Sequence, residues 1–93
     1  MPFDNCERYD FWDTEWKEVG AVYAILSDKG AVIYIGQTDN LQERMADHRS
    51  NSNHCLHRHS PTCVVVEVIE DEASRLRRER QLINHFDPPC NKV

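Results

Sequence analysis

Ala21-Val22-Tyr23-Ala24-Ile25-Leu26-Ser27-Asp28-Lys29-Gly30-Ala31-Val32-Ile33-Tyr34-Ile35-Gly36 is the stretch that decides the fold of this chain. Residues 21–26 and 31–36 are short apolar runs rich in aromatic and β-branched side chains, which fit a pleated, half-buried surface. Ser27-Asp28-Lys29-Gly30 between them is a turn, with Gly30 able to supply a positive φ. Two such runs around such a turn read as an antiparallel β-hairpin. A turn centred between Asp28 and Lys29 sets Tyr23 directly opposite Tyr34 on one face of that hairpin. A slip of one residue would send the two phenols to opposite faces.

Downstream, Thr38 or Asp39 is placed to cap a helix running from Asn40 to about Arg49. Leu41, Met45 and His48 recur along it at helical spacing, with Arg44 beside them. Residues 50–62 are a polar loop. Cys63-Val64-Val65-Val66-Glu67-Val68-Ile69 reads as a third strand. Glu70-Asp71-Glu72 puts negative charge at the start of a last helix, where the macrodipole favours it. That helix runs to about Phe86, where Asp87-Pro88-Pro89 stops it. The expected class is α+β, a three-stranded antiparallel sheet flanked by helices.

Ninety-three residues suit one small domain, with the first 19 residues set apart as an acidic aromatic arm and residues 20–93 as the domain proper. The composition, 40% hydrophobic and 29% charged, is ordinary for a globular domain. No apolar run approaches the roughly 20 residues that span a bilayer, so no membrane partner is expected. Met1-Pro2-Phe3-Asp4 lacks the basic and apolar regions of a signal peptide, which points to a cytoplasmic protein. In that compartment Cys6, Cys55, Cys63 and Cys90 are expected to be free thiols.

A net charge of −5 argues at first against a nucleic-acid partner. Its distribution weakens the objection. Residues 1–19 hold six acids against two bases, whereas residues 20–93 hold ten acids and nine bases. The domain is close to neutral, and its arginines gather at 75, 77, 78 and 80. Phosphate responds to this local field more than to the total charge. The acidic arm is expected to cover that basic helix or to compete with DNA for it. Trp12 and Trp16, one helical step apart, are expected to pack on the core.

Three features carry chemistry. The first is the phenol pair, Tyr23 and Tyr34. The second is Glu79, with Leu76 three residues before it and Leu82 and Ile83 just after. That spacing carries the carboxylate into or beside the helix's apolar stripe, where it must be neutralised, paired or bound to a metal. An ion pair with Arg75, one turn earlier, is the structural alternative. The third is Arg44 with His48, one turn apart. Arginine offers a planar, permanently charged fork to phosphate oxygens, and histidine exchanges protons near neutral pH. Together they supply what phosphodiester hydrolysis requires: an activated nucleophile, a charge for the phosphate and a carboxylate able to hold a metal.

These residues resemble the GIY-YIG nuclease family. Tyr34-Ile35-Gly36 is its second signature unaltered, and Ala21-Val22-Tyr23 stands in the place of the first. Gly36-Gln37-Thr38-Asp39-Asn40-Leu41, followed by Arg44 and His48, is similar to the family's arginine-bearing helix. Glu79 lies where the family keeps its metal-binding glutamate, and Pro89-Cys90-Asn91 is similar to its closing Pro-x-Asn. The likeness spans roughly residues 20–92. It implies one divalent cation, Mg²⁺ or Mn²⁺, on Glu79. It implies Tyr23 as base or positioner of the attacking water, and Tyr34 orienting water or phosphate. Arg44 would stabilise phosphoryl charge and His48 would assist proton transfer. Gly36, Gln37 and Asn91 would support the site. The implied activity is a DNA endonuclease of the structure-specific or repair and recombination type, with RNA not excluded as substrate. Two departures stand out: Ala21 replaces the first signature's glycine, and neutral Gln37 stands where repair-type members often carry a base.

Most family members attach this domain to a separate DNA-targeting domain. Targeting here would fall to residues 1–19, the 50–62 loop, self-association or another protein. Two other classes compete. One is a catalytically weak nucleic-acid or protein binding module on the same fold. The other is a small zinc module drawn from His54, Cys55, His57, His59 and Cys63, although that spacing differs from the two separated ligand pairs of ordinary fingers.

Overall fold

The hairpin forms, with a register that differs from the one expected. In the computed structural model, which describes residues 8–51 and 55–91, the first hairpin strand is Ala21–Ser27 and the second Val32–Thr38. Tyr23 pairs with Gly36 and Ile25 with Tyr34. The phenols are therefore diagonal neighbours on one face and not directly opposite. The turn is the reason. Ser27 N–H donates to Ala31 O and Gly30 N–H to Ser27 O, while Ser27 Oγ accepts from the Lys29 and Ala31 amides. Gly30 has φ 81°, and a bulge at Ile33 puts Leu26 opposite Val32. A bulge and a longer loop shift the ladder by two residues, and an even shift leaves every side chain on its face.

Among the described residues six strands and helices follow in order. They are β1 (Arg8–Asp10), β2 (Ala21–Ser27), β3 (Val32–Thr38), α1 (Leu41–Ser50), β4 (Pro61–Val68) and α2 (Glu72–Phe86), with 3-10 turns at Cys55–His59 and Pro89–Asn91. Among the described residues the sheet is antiparallel and has four strands, not three, in the order β1-β4-β2-β3. The extra strand is three exposed residues, Arg-Tyr-Asp, laid along the open edge of β4. It carries no apolar alternation, so no periodicity betrays it.

The described part of the arm is built into the domain. Phe11 and Trp16 are buried, and Arg49 on α1 donates to Phe11 O and Thr14 O at 2.7 Å each. Trp12 is half-exposed, its Nε1 donating to Pro61 O. Residues 8–16 thus occupy the β4 edge and the α1 side, whereas α2 packs on β3 and β2. The expectation that the arm covers the arginines of α2 is not met in this described part.

The strands are buried on both faces because helices cover both. Ala21, Tyr23, Ile25 and Val64 pack with Leu41, Met45, Leu56, Phe11 and Trp16 on the α1 side. Val22, Ala24, Leu26, Ile35 and Val65 pack with Leu82 on the α2 side. Ala21 is fully buried, so its methyl finds room where the family signature has glycine. Helix α1 is capped by Asn40, not by Thr38 or Asp39. Asn40 Oδ1 accepts from Glu43 N–H, and Thr38 Oγ1 instead bonds the Asn40 backbone. Asp71 caps α2 by accepting from Ser74 N–H; a bond from the Ser74 side chain, and then this backbone bond, hold its carboxyl below the usual carboxylate range. Among the described residues no helix is long and apolar enough to cross a membrane.

The free-thiol expectation fails for two cysteines. Cys55 and Cys90 form a disulfide that joins the two 3-10 turns, while Cys63 is free. The zinc set read from spacing does not assemble either. His57 Nε2 donates to His48 O at 2.6 Å, and Cys63 packs in the α2-side core. His54 lies outside the described residues.

Candidate active site

Gly36 makes the room that the two phenol rings occupy. A Cβ built there would lie 2.5 Å from Tyr23 Oη, 2.7 Å from Tyr23 Cζ and 3.0 Å from Tyr34 Cε2. Its φ is not positive. The requirement is space for the aromatic rings, not backbone freedom. The rings sit with centroids 6.2 Å apart and tilted by 41°.

His48, from the buried stripe of α1, closes the cluster. Tyr23 Oη and His48 Nε2 are 2.8 Å apart and both residues are buried. The His48 ring packs edge-on against Tyr23 and Tyr34, at 5.7 and 5.3 Å. Burial pushes the Tyr23 phenol far above its ordinary range, and its neighbours Tyr34 and Glu79 push the same way. Arg44 opposes them. Tyr34 is half-buried and is also raised, chiefly by desolvation, with Arg44 again lowering it. Both groups are neutral phenols at pH 7. Arg44 is on the exposed side of α1, close enough for its charge to act on both rings. Among the described residues nothing pairs with its guanidinium, so its fork is open to an anion.

Glu79 comes from α2, on the other layer of the sheet. It reaches the Gln37 backbone on β3, the edge strand, and its charge acts on both phenols. Burial raises its carboxyl, and a bond from the Gln37 backbone N–H pulls the other way. The expected structural alternative, a pair with Arg75, does not form. Arg75 is buried and donates Nε–H to Gln37 Oε1 at 3.1 Å and Nη1–H to Ile69 O and Glu70 O at 3.2 and 2.8 Å. A Cβ at Gly20 would lie 2.5 Å from Arg75 Nη1, so Gly20 makes way for that guanidinium. Gln37 therefore links Arg75 through its side chain to Glu79 through its backbone. This role for Arg75 was not legible in the sequence, where it is one arginine among four.

A half-buried carboxylate with no cationic partner among the described residues is a fit for a metal. It is a hard oxygen donor whose charge acts on both phenols. Mg²⁺ takes few protein ligands and keeps several waters, leaving positions for phosphate oxygens.

Asn91 bonds the backbone of the edge strand. Its Oδ1 accepts from Ile35 N–H at 2.8 Å and its Nδ2 donates to Ile35 O at 2.7 Å. One side-chain amide thus does the work of a neighbouring strand, between Tyr34 and Gly36. Of the eight candidate residues, Tyr23, Tyr34, Gly36, His48 and Arg44 cluster on the α1 side, while Gln37 on β3 is bonded to Glu79 of α2 and Asn91 of the last 3-10 turn is bonded to Ile35 of β3.

Such a cluster on such a sheet defines a small catalytic domain of the phosphodiesterase class. The model of the GIY-YIG catalytic domain matches residues 19–92, and the chain belongs to the GIY-YIG family of nucleases. Its fold is similar to that of the GIY-YIG N-terminal endonuclease domain of UvrC from Thermotoga maritima bound to its catalytic divalent cation, magnesium. That structure is 23% identical, with a TM-score of 0.72 over 82% of this chain and 86% of that one. A tyrosine-to-phenylalanine point mutant of the same domain, also bound to its cation, is 25% identical with a TM-score of 0.72 over 83% and 87%. An asparagine-to-alanine mutant is 23% identical with a TM-score of 0.72 over 83% and 86%. No curated protein sequence matches the chain.

Proposed function

We propose that this chain is a Mg²⁺-dependent endonuclease that hydrolyses DNA phosphodiester bonds, of the structure-specific or repair type. The observation that carries the reading is the buried Tyr23–His48 pair beside Tyr34, with an uncompensated carboxylate at Glu79. Glu79 would hold the cation, with Mn²⁺ as a substitute. When bound, the cation neutralises charge on the phosphate oxygens.

This chain's own groups supply the rest. Arg44 takes a non-bridging oxygen of the phosphate with its open fork. Tyr34 hydrogen-bonds the attacking water or the phosphate. Tyr23 is a neutral phenol, so it acts as a relay and not as a standing base. As the water oxygen bonds to phosphorus, the water's proton moves to Tyr23 Oη and the Tyr23 proton moves to His48 Nε2. The bond from phosphorus to the leaving oxygen breaks, and that oxygen takes a proton from solvent. His48 then returns its proton to solvent. Asn91 and Gln37 hold β3 in place around this exchange.

The test is cleavage of plasmid, branched and single-stranded DNA and of RNA in Mg²⁺, with Glu79→Ala as control. Loss of activity by about a hundredfold or more in the variant supports the reading. Equal inertness of both proteins on every substrate replaces it with a binding module on the same fold.

A further inference from the structure

The disulfide does not touch the chemistry above, yet it sits where a metal site can form. The Sγ atoms of Cys55 and Cys90 and one ring nitrogen of His59 all lie within 4.8 Å of one another. Cys55 and His59 bracket one 3-10 turn, and Cys90 is the middle residue of the other. Two sulfurs and an imidazole nitrogen are zinc donors, with Zn–S near ~2.3 Å and Zn–N near ~2.0 Å. The cysteine Cα atoms are 5.5 Å apart, close enough for both sulfurs to bind one ion. His59 is exposed, which leaves a fourth position to water. His57 is excluded because its Nε2 is engaged with His48 O.

We propose that Cys55, His59 and Cys90 form a thiolate–imidazole site that takes a soft divalent cation, zinc foremost, when the disulfide is reduced. A dithiol reductant supplies two electrons and two protons, breaks the S–S bond and leaves as its own disulfide. As the cation binds, each thiol gives its proton to solvent and two sulfur–metal bonds form, with His59 donating a nitrogen lone pair. The Pro89–Asn91 turn is then fastened in either redox state, by S–S or by the ion. Asn91 keeps its two bonds to Ile35 in both, so the brace beside Tyr34 and Gly36 survives reducing conditions. Reduction without metal leaves that turn held by the Asn91 bonds to Ile35 and without a link to Cys55.

The experiment uses the full, tag-free chain carrying Cys6→Ser and Cys63→Ser, reduced and freed of reductant under inert gas. It is titrated with Co²⁺ as a spectroscopic stand-in and then with Zn²⁺. One equivalent of Co²⁺ with a thiolate-to-metal charge-transfer band is expected, displaced by Zn²⁺. Bound zinc is expected to shield both thiols from alkylation, read by mass. His59→Ala removes an exposed side chain and leaves both sulfurs and the disulfide intact, so it tests the site without threatening the fold. It is expected to weaken binding by about tenfold or more. A reduced chain that gives no charge-transfer band overturns the proposal, as does a His59→Ala chain that binds Co²⁺ as tightly as its parent.

Discussion

Replacing Gly36 with alanine adds a methyl group where the phenols leave no room. The added carbon would sit 2.5 Å from Tyr23 Oη and 2.7 Å from Cζ, well inside contact distance. Neither atom can yield easily, because Tyr23 is 1% exposed and its hydroxyl is bonded to His48 at 2.8 Å. Overpacking of this kind costs about 1–3 kcal/mol. If the ring swings away, the hydroxyl loses its bond to His48, which adds about 1 kcal/mol. The total is about 2–4 kcal/mol. A domain of this size loses about 4–8 °C of Tm per kcal/mol, so the melting point should fall by roughly 10–30 °C. Circular dichroism melts of the wild type and Gly36→Ala measure this directly, and Mg²⁺-dependent cleavage of the same samples below the melt reads the site. Adding Tyr23→Phe removes the nearest atom but leaves Cζ in the way, so it should recover part of the loss and no more. A Gly36→Ala protein that melts within about 2 °C of wild type would refute the packing argument, since no overpacking cost that small fits these contacts.

Three further outcomes are expected. In chelator, Glu79→Gln should be more stable than wild type at neutral pH, because the raised carboxyl penalises the folded state once it ionises. That penalty sets in as pH rises above the unfolded glutamate's range and is complete above the folded one, so the two proteins should converge in acid. A urea titration at pH 3 and pH 7 that shows no change in their difference would count against it. Asn91→Ala should cost about 1–2 kcal/mol for the two lost bonds to Ile35 and slow cleavage with little change in global fold, whereas Asn91→Asp keeps the bond from Ile35 N–H alone and should fall between. Arg75→Met should cost about 3 kcal/mol and raise the Mg²⁺ concentration needed for activity, because Gln37 loses its anchor beside Glu79. Arg75→Lys lacks the fork and should recover only part of both, as measured by denaturation and by Mg²⁺-dependent rates.

Much of the molecule is decided by local pattern. The runs at 21–26 and 31–36 could only be a hairpin, and the stripe of Leu41, Met45 and His48 fixed which side of α1 faces the sheet. Face assignment is robust because it depends on parity, so the phenols share a face although their register was off by two. The site residues were legible as types: a carboxylate, an arginine, a histidine and two phenols at spacings that respect helix and strand periods. What the chain's own order does not hold is contact between distant segments. The bulge at Ile33, the strand at residues 8–10, the Arg75–Gln37 link across 38 positions and the join of Cys55 to Cys90 across 35 all arise from packing. Each depends on which groups the closed layers bring together, and no periodicity in the sequence records that.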